Sequence, residues 1–195
     1  AVVMVRLITA GVFFGLQSFL PLMLTSRGVS LIVSGAVITI ASVGWMLGSW
    51  LQARPWLRLS RDQIIIAGAV CVALGAAVTA TSAWLPAVSL PLSLLGFTAS
   101  GVGMGLQTAS TSLALMQLSS EEEIGRNGSS LQVGEAAGNA LLVGAAGTVY
   151  AALTPVASPT VVFGVQMSAL ALIALAAIGA ALVGRAGLAR TRWAG

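Results

Sequence analysis

Charge is scarce in this chain. Only 7% of its 195 residues are Asp, Glu, Lys or Arg, against roughly 25% in a soluble domain, so its surface is not built to face water. Histidine is absent altogether, which removes the common zinc sites and every nucleophilic triad that relies on an imidazole. Lysine is absent too: all nine basic residues are arginine. Cys71 is the single cysteine and lies in an apolar stretch, so there is no disulfide framework to read. The only aspartate is Asp62, in a turn. A pair of membrane-depth aspartates, as an intramembrane protease would need, therefore cannot be assembled.

What fills the chain instead is hydrocarbon. Apolar residues make up 57%, and the mean hydropathy is +1.00. Residues 63–120, 58 in a row, carry no charge, and neither do the 49 residues 136–184. Each gap is about twice the ~20 residues that span a bilayer, so each holds two spans and a turn. The pattern predicts an all-α, multi-pass membrane protein with six transmembrane helices, over residues 2–24, 30–53, 63–83, 88–116, 128–152 and 160–184. The turns TSRGVS, ARPWLRLSRD, SAWLPA, SSEEEIGRNG and TPVASPT are short, which predicts successive helices as antiparallel neighbours. In SSEEE, Ser120 with Glu123 fits a capping box.

The arginines orient the spans. With six crossings, Arg6, Arg54, Arg58, Arg61, Arg126, Arg185, Arg190 and Arg192 fall on one side, and only Arg27 falls on the other. By the positive-inside rule both ends are cytoplasmic. The net charge of +4 comes from these flanking arginines, which argues against a nucleic-acid surface. The lipid bilayer is the expected partner. A chain that opens on Ala1 with no signal-peptide pattern is expected to be part of a longer protein.

One phrase is written twice. Residues 101–108 read GVGMGLQT and residues 11–18 read GVFFGLQS, an offset of 90. The same offset relates Gly44 and Gly48 to Gly134 and Gly138. The chain therefore reads as a single six-helix bundle, 1–195, made of two three-helix units, 1–86 and 87–195. Each has an odd number of spans, so the second is inverted relative to the first, as in many secondary transporters. The glycines at i and i+4 read first as packing faces, since small residues let helices approach where lipid offers no hydrophobic drive.

Four polar side chains within the spans ask for more. Gln17 and Gln107 are primary amides at equivalent positions of spans 1 and 4. Each either forms an interhelical hydrogen bond or lines a cavity, because an unpaired amide in hydrocarbon costs several kcal/mol. Arg6 lies eleven residues before Gln17, about 20° away on a helix, with Ala10 and Phe13 between them on the same face. Glu135 stands in SLQVGEAAGNALLVGAAG, about 10 Å inside a span that begins near Gly128. An ionisable group there is a functional-site hypothesis by default. Gln132 and Asn139 extend it into a polar stripe, while Gly134, Gly138 and Ala145 make a neighbouring small-residue stripe. Glu135 is open to two roles: a structural carboxylate paired with an arginine such as Arg6, or a carboxylate that carries a proton or binds a cation. Trp45, at the position equivalent to Glu135, reads as core.

Taken together, the six spans in two inverted units, the glycine-rich GVGMGLQT of span 4 and the basic second turn resemble the carboxy-terminal half of a major facilitator superfamily transporter. The branch most like it is that of the bacterial drug/proton antiporters. The stretch GSWLQARPWLRLSR is similar to the family's cytoplasmic loop motif, with Gly48, Arg54 and Arg58 at matching places. The acidic position and the second glycine of that motif are not matched. The stretch EEEIGRNGSSLQVGEAAGNALLVGAAG resembles the loop and glycine-rich start of the family's eleventh helix.

The resemblance implies a bacterial plasma-membrane carrier whose amino-terminal half is the missing partner. It implies a substrate cavity near Gln17, Gln107, Asn139 and Phe13, proton coupling through Glu135 and Arg6, and no cofactor, metal or catalytic residue. The substrate would be a small, lipophilic or weakly cationic molecule exchanged for protons, with export favoured over import. The competing readings are a stand-alone six-helix assembly or channel subunit, and an intramembrane enzyme.

Overall fold

A segment in hydrocarbon satisfies its N–H and C=O groups by coiling into a helix or by closing a barrel. This chain takes the first route. The computed structural model describes residues 2–117 and 119–192, with side chains described as far as residue 185. Its six helices are α1 (Val2–Ser26), α2 (Leu31–Gln52), α3 (Arg61–Trp84), α4 (Ser89–Gln117), α5 (Ile124–Leu153) and α6 (Pro159–Arg192). A single 3₁₀ turn, Pro86–Val88, leads into α4. All six are long and apolar enough to cross a membrane. Even α2, with 22 residues, is about 33 Å long against a hydrocarbon core of ~30 Å.

The helix ends follow from side-chain chemistry. In TSRGVS, Gly28 adopts φ +83°, a conformation that costs glycine nothing. Val29 N–H reaches back to Leu24 O (3.1 Å) and Gly28 N–H to Thr25 O (3.0 Å), the double closure of a Schellman cap. Two residues on, the Ser30 hydroxyl accepts from Val33 N–H at 3.3 Å and starts α2. At the head of α3, Ser60 N–H donates to the Gln63 side chain at 2.9 Å.

The expected capping box at Ser120 and Glu123 does not form. Residues 121–123 make a turn, with Glu123 N–H on the Ser120 carbonyl (2.9 Å), and α5 begins after it, at Ile124. The Glu123 carboxylate instead takes Arg126 at 2.6 Å, one turn along the helix.

The short connections do not choose the neighbours. Of the successive pairs only α3 and α4 pack along their length, whereas α2 lies on α4, α1 on α5, and α3 on α6. This corrects the expectation of antiparallel chain neighbours. Loop length limits which helices can meet, but close backbone approach decides which ones do.

Glycines make that approach. Gly44 and Gly48 face Thr98 and Val102 of α4, and Gly101 and Gly105 answer against Ala41 and Trp45 of α2. Sequence numbers rise together on both helices, so α2 and α4 run parallel. On the other side, Gly134 faces Val3 and Gly138 faces Leu7, so α1 and α5 also run parallel. Between α3 and α4 the order reverses: Gly75 meets Gly96 and Gly68 meets Gly103, an antiparallel pair.

The arrangement leaves α1, α3, α4 and α6 inside and α2 and α5 outside. In α1 and α3, 56% of the most apolar stretch is buried, in α6 50%, in α4 44%, in α2 28% and in α5 only 11%. The main core joins Val12, Leu16 and Leu20 of α1 to Phe97 and Met104 of α4 and Met167 of α6.

Alternating helix direction gathers Arg54, Arg58, Arg61, Arg126 and Arg185 at one end of the bundle, where Arg185 pairs with Asp62 at 3.1 Å. The side chains of Arg190 and Arg192 lie outside the described residues. Arg27, the one arginine at the other end among the described residues, has a local task. Its Nη1 donates to Ser82 O at 2.7 Å and its Nη2 to Ala83 O, closing the last turn of α3 with a cation where the helix dipole is negative. Burial lowers its pKa from the usual arginine value, a desolvation cost that the two carbonyls offset. Arg27→Ala should cost about 1–2 kcal/mol and speed amide exchange at residues 81–85. Unchanged exchange there would refute the cap.

Candidate functional site

The glycine register of α1 and α5 sets the site. With Gly134 opposite Val3 and Gly138 opposite Leu7, the position between them, Glu135, comes beside Arg6. The Arg6 Nη2 and Nε both donate to Glu135 Oε2, at 2.7 and 2.9 Å. The side chains are 5% and 18% exposed, so the guanidinium is buried and the carboxylate keeps a small exposed edge. Because α5 starts at Ile124, four residues before Gly128, Glu135 lies about 16 Å along it.

The pair does not end at two residues. Arg6 Nη1 approaches Thr111 Oγ1 of α4 at 3.4 Å, and that hydroxyl donates to the Gln107 carbonyl at 2.7 Å. One turn back along α4, the Gln107 amide Nε2 donates to Thr9 Oγ1 of α1 and touches Met104 Sδ at 3.2 Å. Thr9 in turn donates to Val5 O at 2.7 Å. Arg6–Thr111 and Thr9–Gln107 are thus adjacent rungs between antiparallel helices. Together they tie α5, α1 and α4 into one polar chain inside an apolar bundle.

Two acceptors beside this chain have no partner among the described residues. Gln107 Oε1 is buried on a side chain with no exposed surface, and Asn139 Oδ1 is buried one turn beyond Glu135. Unpaired buried acceptors are uncommon in folded proteins and call for an explanation.

The other sequence candidates are placed as follows. Phe13 is buried and stacks on Phe97 (4.8 Å between centroids), with Trp45 edge-on at 5.4 Å. Gln17 is half-buried and has no side-chain hydrogen bond among the described residues. Its backbone carbonyl also loses its helical donor, because residue i+4 is Pro21. The two glutamines therefore share an offset but not an environment: Gln107 is locked between helices, and Gln17 sits at a polar spot on α1.

Gly48 is buried against α4, Arg54 lies over the Trp50 ring at 3.9 Å, and Arg58 is exposed. Gln132, also exposed, lines a shallow cavity of about 530 Å³ between the end of α4 and the start of α5, with Ser112, Leu115 and Ser129. Among the described residues, no three His, Cys, Asp or Glu side chains gather as metal ligands.

Two participants escaped the sequence reading, as did Gln166, a buried amide outside this chain of hydrogen bonds. Thr9 and Thr111 stand three and four residues after Arg6 and Gln107, on the same helix faces, and that spacing was the available signal. Gln166 of α6 is 1% exposed and donates to Ala146 O of α5 at 2.9 Å. Nothing in its own neighbourhood of sequence marks it.

What the arrangement can do follows from its charges. A guanidinium cannot lose its proton in a protein, but a carboxylate can gain one. Proton uptake by Glu135 would therefore remove the charge–charge attraction across α1 and α5 while leaving a buried cation to be accommodated. A scan against models of known protein families finds none that matches this chain, and a search of curated proteins returns no match.

Proposed function

We propose that this bundle is one half of a secondary active transporter of the major facilitator type. It would move a small lipophilic or weakly cationic solute out of a bacterial cell in exchange for protons. The observation that carries the reading is the Arg6–Glu135 pair: the two charges lie inside six apolar helices and join helices that a rocking motion would move. A buried ion pair contributes little net stability compared with apolar residues of similar volume, so its presence favours a switching role.

Three further observations support the reading. The packing has an exchange symmetry: α2 lies parallel on α4 as α5 lies parallel on α1, the relation expected if α1–α3 and α4–α6 are inverted copies. The outward faces of α2 and α5 are the least buried, as required if a second six-helix half docks there. The arginine-rich end would be cytoplasmic. No catalytic step or cofactor enters this reading.

The test is transport by the full-length protein in proteoliposomes under an imposed pH gradient, with a panel of lipophilic cations. Gradient-stimulated transport is expected. Glu135→Gln should still bind the transported cation while losing the gradient-driven component. Stimulation that survives Glu135→Gln, or none in the unaltered protein across the panel, overturns the proposal.

A further inference from the structure

When Glu135 takes a proton, Arg6 becomes a buried cation without a counter-charge. Its charges and acceptors can be enumerated. From α1, Glu135 faces only Arg6; α4 carries no titratable side chain between Ser89 and Gln117. On α5 itself, Arg126 is held by Glu123 and Tyr150 lies four turns away. On α6, Arg185 is held by Asp62 at the end of the bundle. On α3, Cys71 stands by Gly103, and α2 has no charge between Leu31 and Gln52. Among the described residues, no second acid stands ready for Arg6.

An amide oxygen does. Arg6 Nη1 already points to α4, toward Thr111. The hydrogen of that hydroxyl is taken up by backbone carbonyls of α4 at 2.7 and 3.0 Å. The next rung of the same ladder, about 5–6 Å away along the helix, is Gln107. Its nitrogen is committed to Thr9, and its Oε1 is buried and unpaired.

We propose that Gln107 Oε1 is the second acceptor for Arg6. Protonation of Glu135 lets the guanidinium turn from α5 to α4, so the polar chain alternates between an Arg6–Glu135 and an Arg6–Gln107 arrangement. No covalent bond changes apart from the proton that water delivers to the Glu135 carboxylate. Arg6 stays charged in both arrangements, and one charged hydrogen bond replaces another. Gln107 is then a positioning residue that sets how readily α5 releases from α1. This rests on the proton-carrying role of Glu135 proposed above.

A double-mutant cycle in the full-length protein in lipid nanodiscs tests it. Glu135→Gln mimics the protonated carboxyl, and Gln107→Met removes the amide while keeping length and volume. With Gln107 present, Glu135→Gln should be tolerated. With both changes, the unfolding midpoint should fall about 5 °C further than the two single shifts add up to. Additive shifts overturn the proposal. So does finding the excess with Asn139→Leu in place of Gln107→Met, because the acceptor would then lie on α5.

Should Gln107→Met fail to fold, ¹⁵N spectra of the arginine guanidinium groups in Glu135→Gln decide. A shifted Arg6 resonance that returns on adding Thr111→Val overturns the proposal, because the acceptor would then be the Thr111 hydroxyl. A shifted one that Thr111→Val leaves in place is the predicted result, and no shift overturns the proposal. The cycle reads the switch and the gradient assay reads the carrier. Non-additivity without gradient-driven transport would sink the carrier alone, and transport with additive shifts would sink only the role of Gln107.

Discussion

Replacing Glu135 with leucine should destabilise the bundle by about 3–5 kcal/mol, the cost of leaving one member of a buried ion pair uncompensated. Arg6 is 4% exposed, and leucine offers it neither acceptor nor counter-charge; the Gln107 amide can take a hydrogen bond but brings no negative charge, so the cation stays buried and uncompensated. The reverse change is gentler. In Arg6→Met, the Glu135 carboxyl can enter the bundle with a proton bound, a route arginine does not have. What remains is lost packing and three lost hydrogen bonds, one of them long at 3.4 Å, about 2 kcal/mol.

Arg6→Met combined with Glu135→Leu should be closer to the parent than Glu135→Leu alone, since apolar replacement of both partners removes the desolvation cost as well as the attraction. Denaturant or thermal unfolding in nanodiscs reads all three. Equal losses for the two single variants would mean that the pair is wet rather than buried.

The second large effect belongs to the glycines. A Cβ on Gly48 would land on the Val102 carbonyl, one on Gly105 on the Trp45 carbonyl, and one on Gly138 on the Leu7 carbonyl. In each case the obstacle is backbone, which no rotamer change can move aside. Gly48→Val or Gly138→Val should therefore force a helix pair apart and cost about 4 kcal/mol or more, enough to abolish recovery of folded protein. Gly35→Ala and Gly144→Ala are the controls. Neither has an atom within 4 Å of the new methyl, and alanine is the better helix former by about 1 kcal/mol. Size-exclusion profiles after membrane extraction should separate the two groups cleanly. Equal tolerance at Gly48 and Gly35 would show that α2 does not lie on α4 as described.

The two predictions differ in how far the sequence anticipated them. Glu135 and Arg6 were visible as the acid and the base inside otherwise uncharged spans, and their pairing was one of two roles left open for Glu135. Their geometry was not visible, because it depends on the register of α1 against α5. The glycine faces were visible as i, i+4 stripes, yet the stripes did not name their partners. Gly101 and Gly105 both meet α2, while Gly11 meets Gly138 of α5 and Gly15 meets Leu170 of α6. One stripe can serve two neighbours, since a small residue marks where a backbone comes close and not whose backbone it is.

The hydrogen-bonded chain through Thr9, Thr111 and Gln107 was the least legible. Serine and threonine are frequent in this chain and commonly bond back to their own helix, as Thr25 does to Pro21 O at 2.9 Å and Thr79 to Gly75 O at 2.9 Å. Only the contact of α1 with α4 separates two such hydroxyls from the rest.

By itself the sequence determined six apolar helices, their turns, the gathering of arginine at one end, and the placing of one acid, Glu135, within an apolar stretch. These are local consequences: hydrocarbon forces every segment to close its own hydrogen bonds, and charge stays out unless it is paired. Tertiary structure decided which helices touch, that α2 lies on α4 and α5 on α1, and that Arg6 reaches Glu135 with Gln107 one rung away. In a helix that is apolar on every side no face announces its neighbour, so the pairing rests on the fit of small residues between helices far apart in the chain.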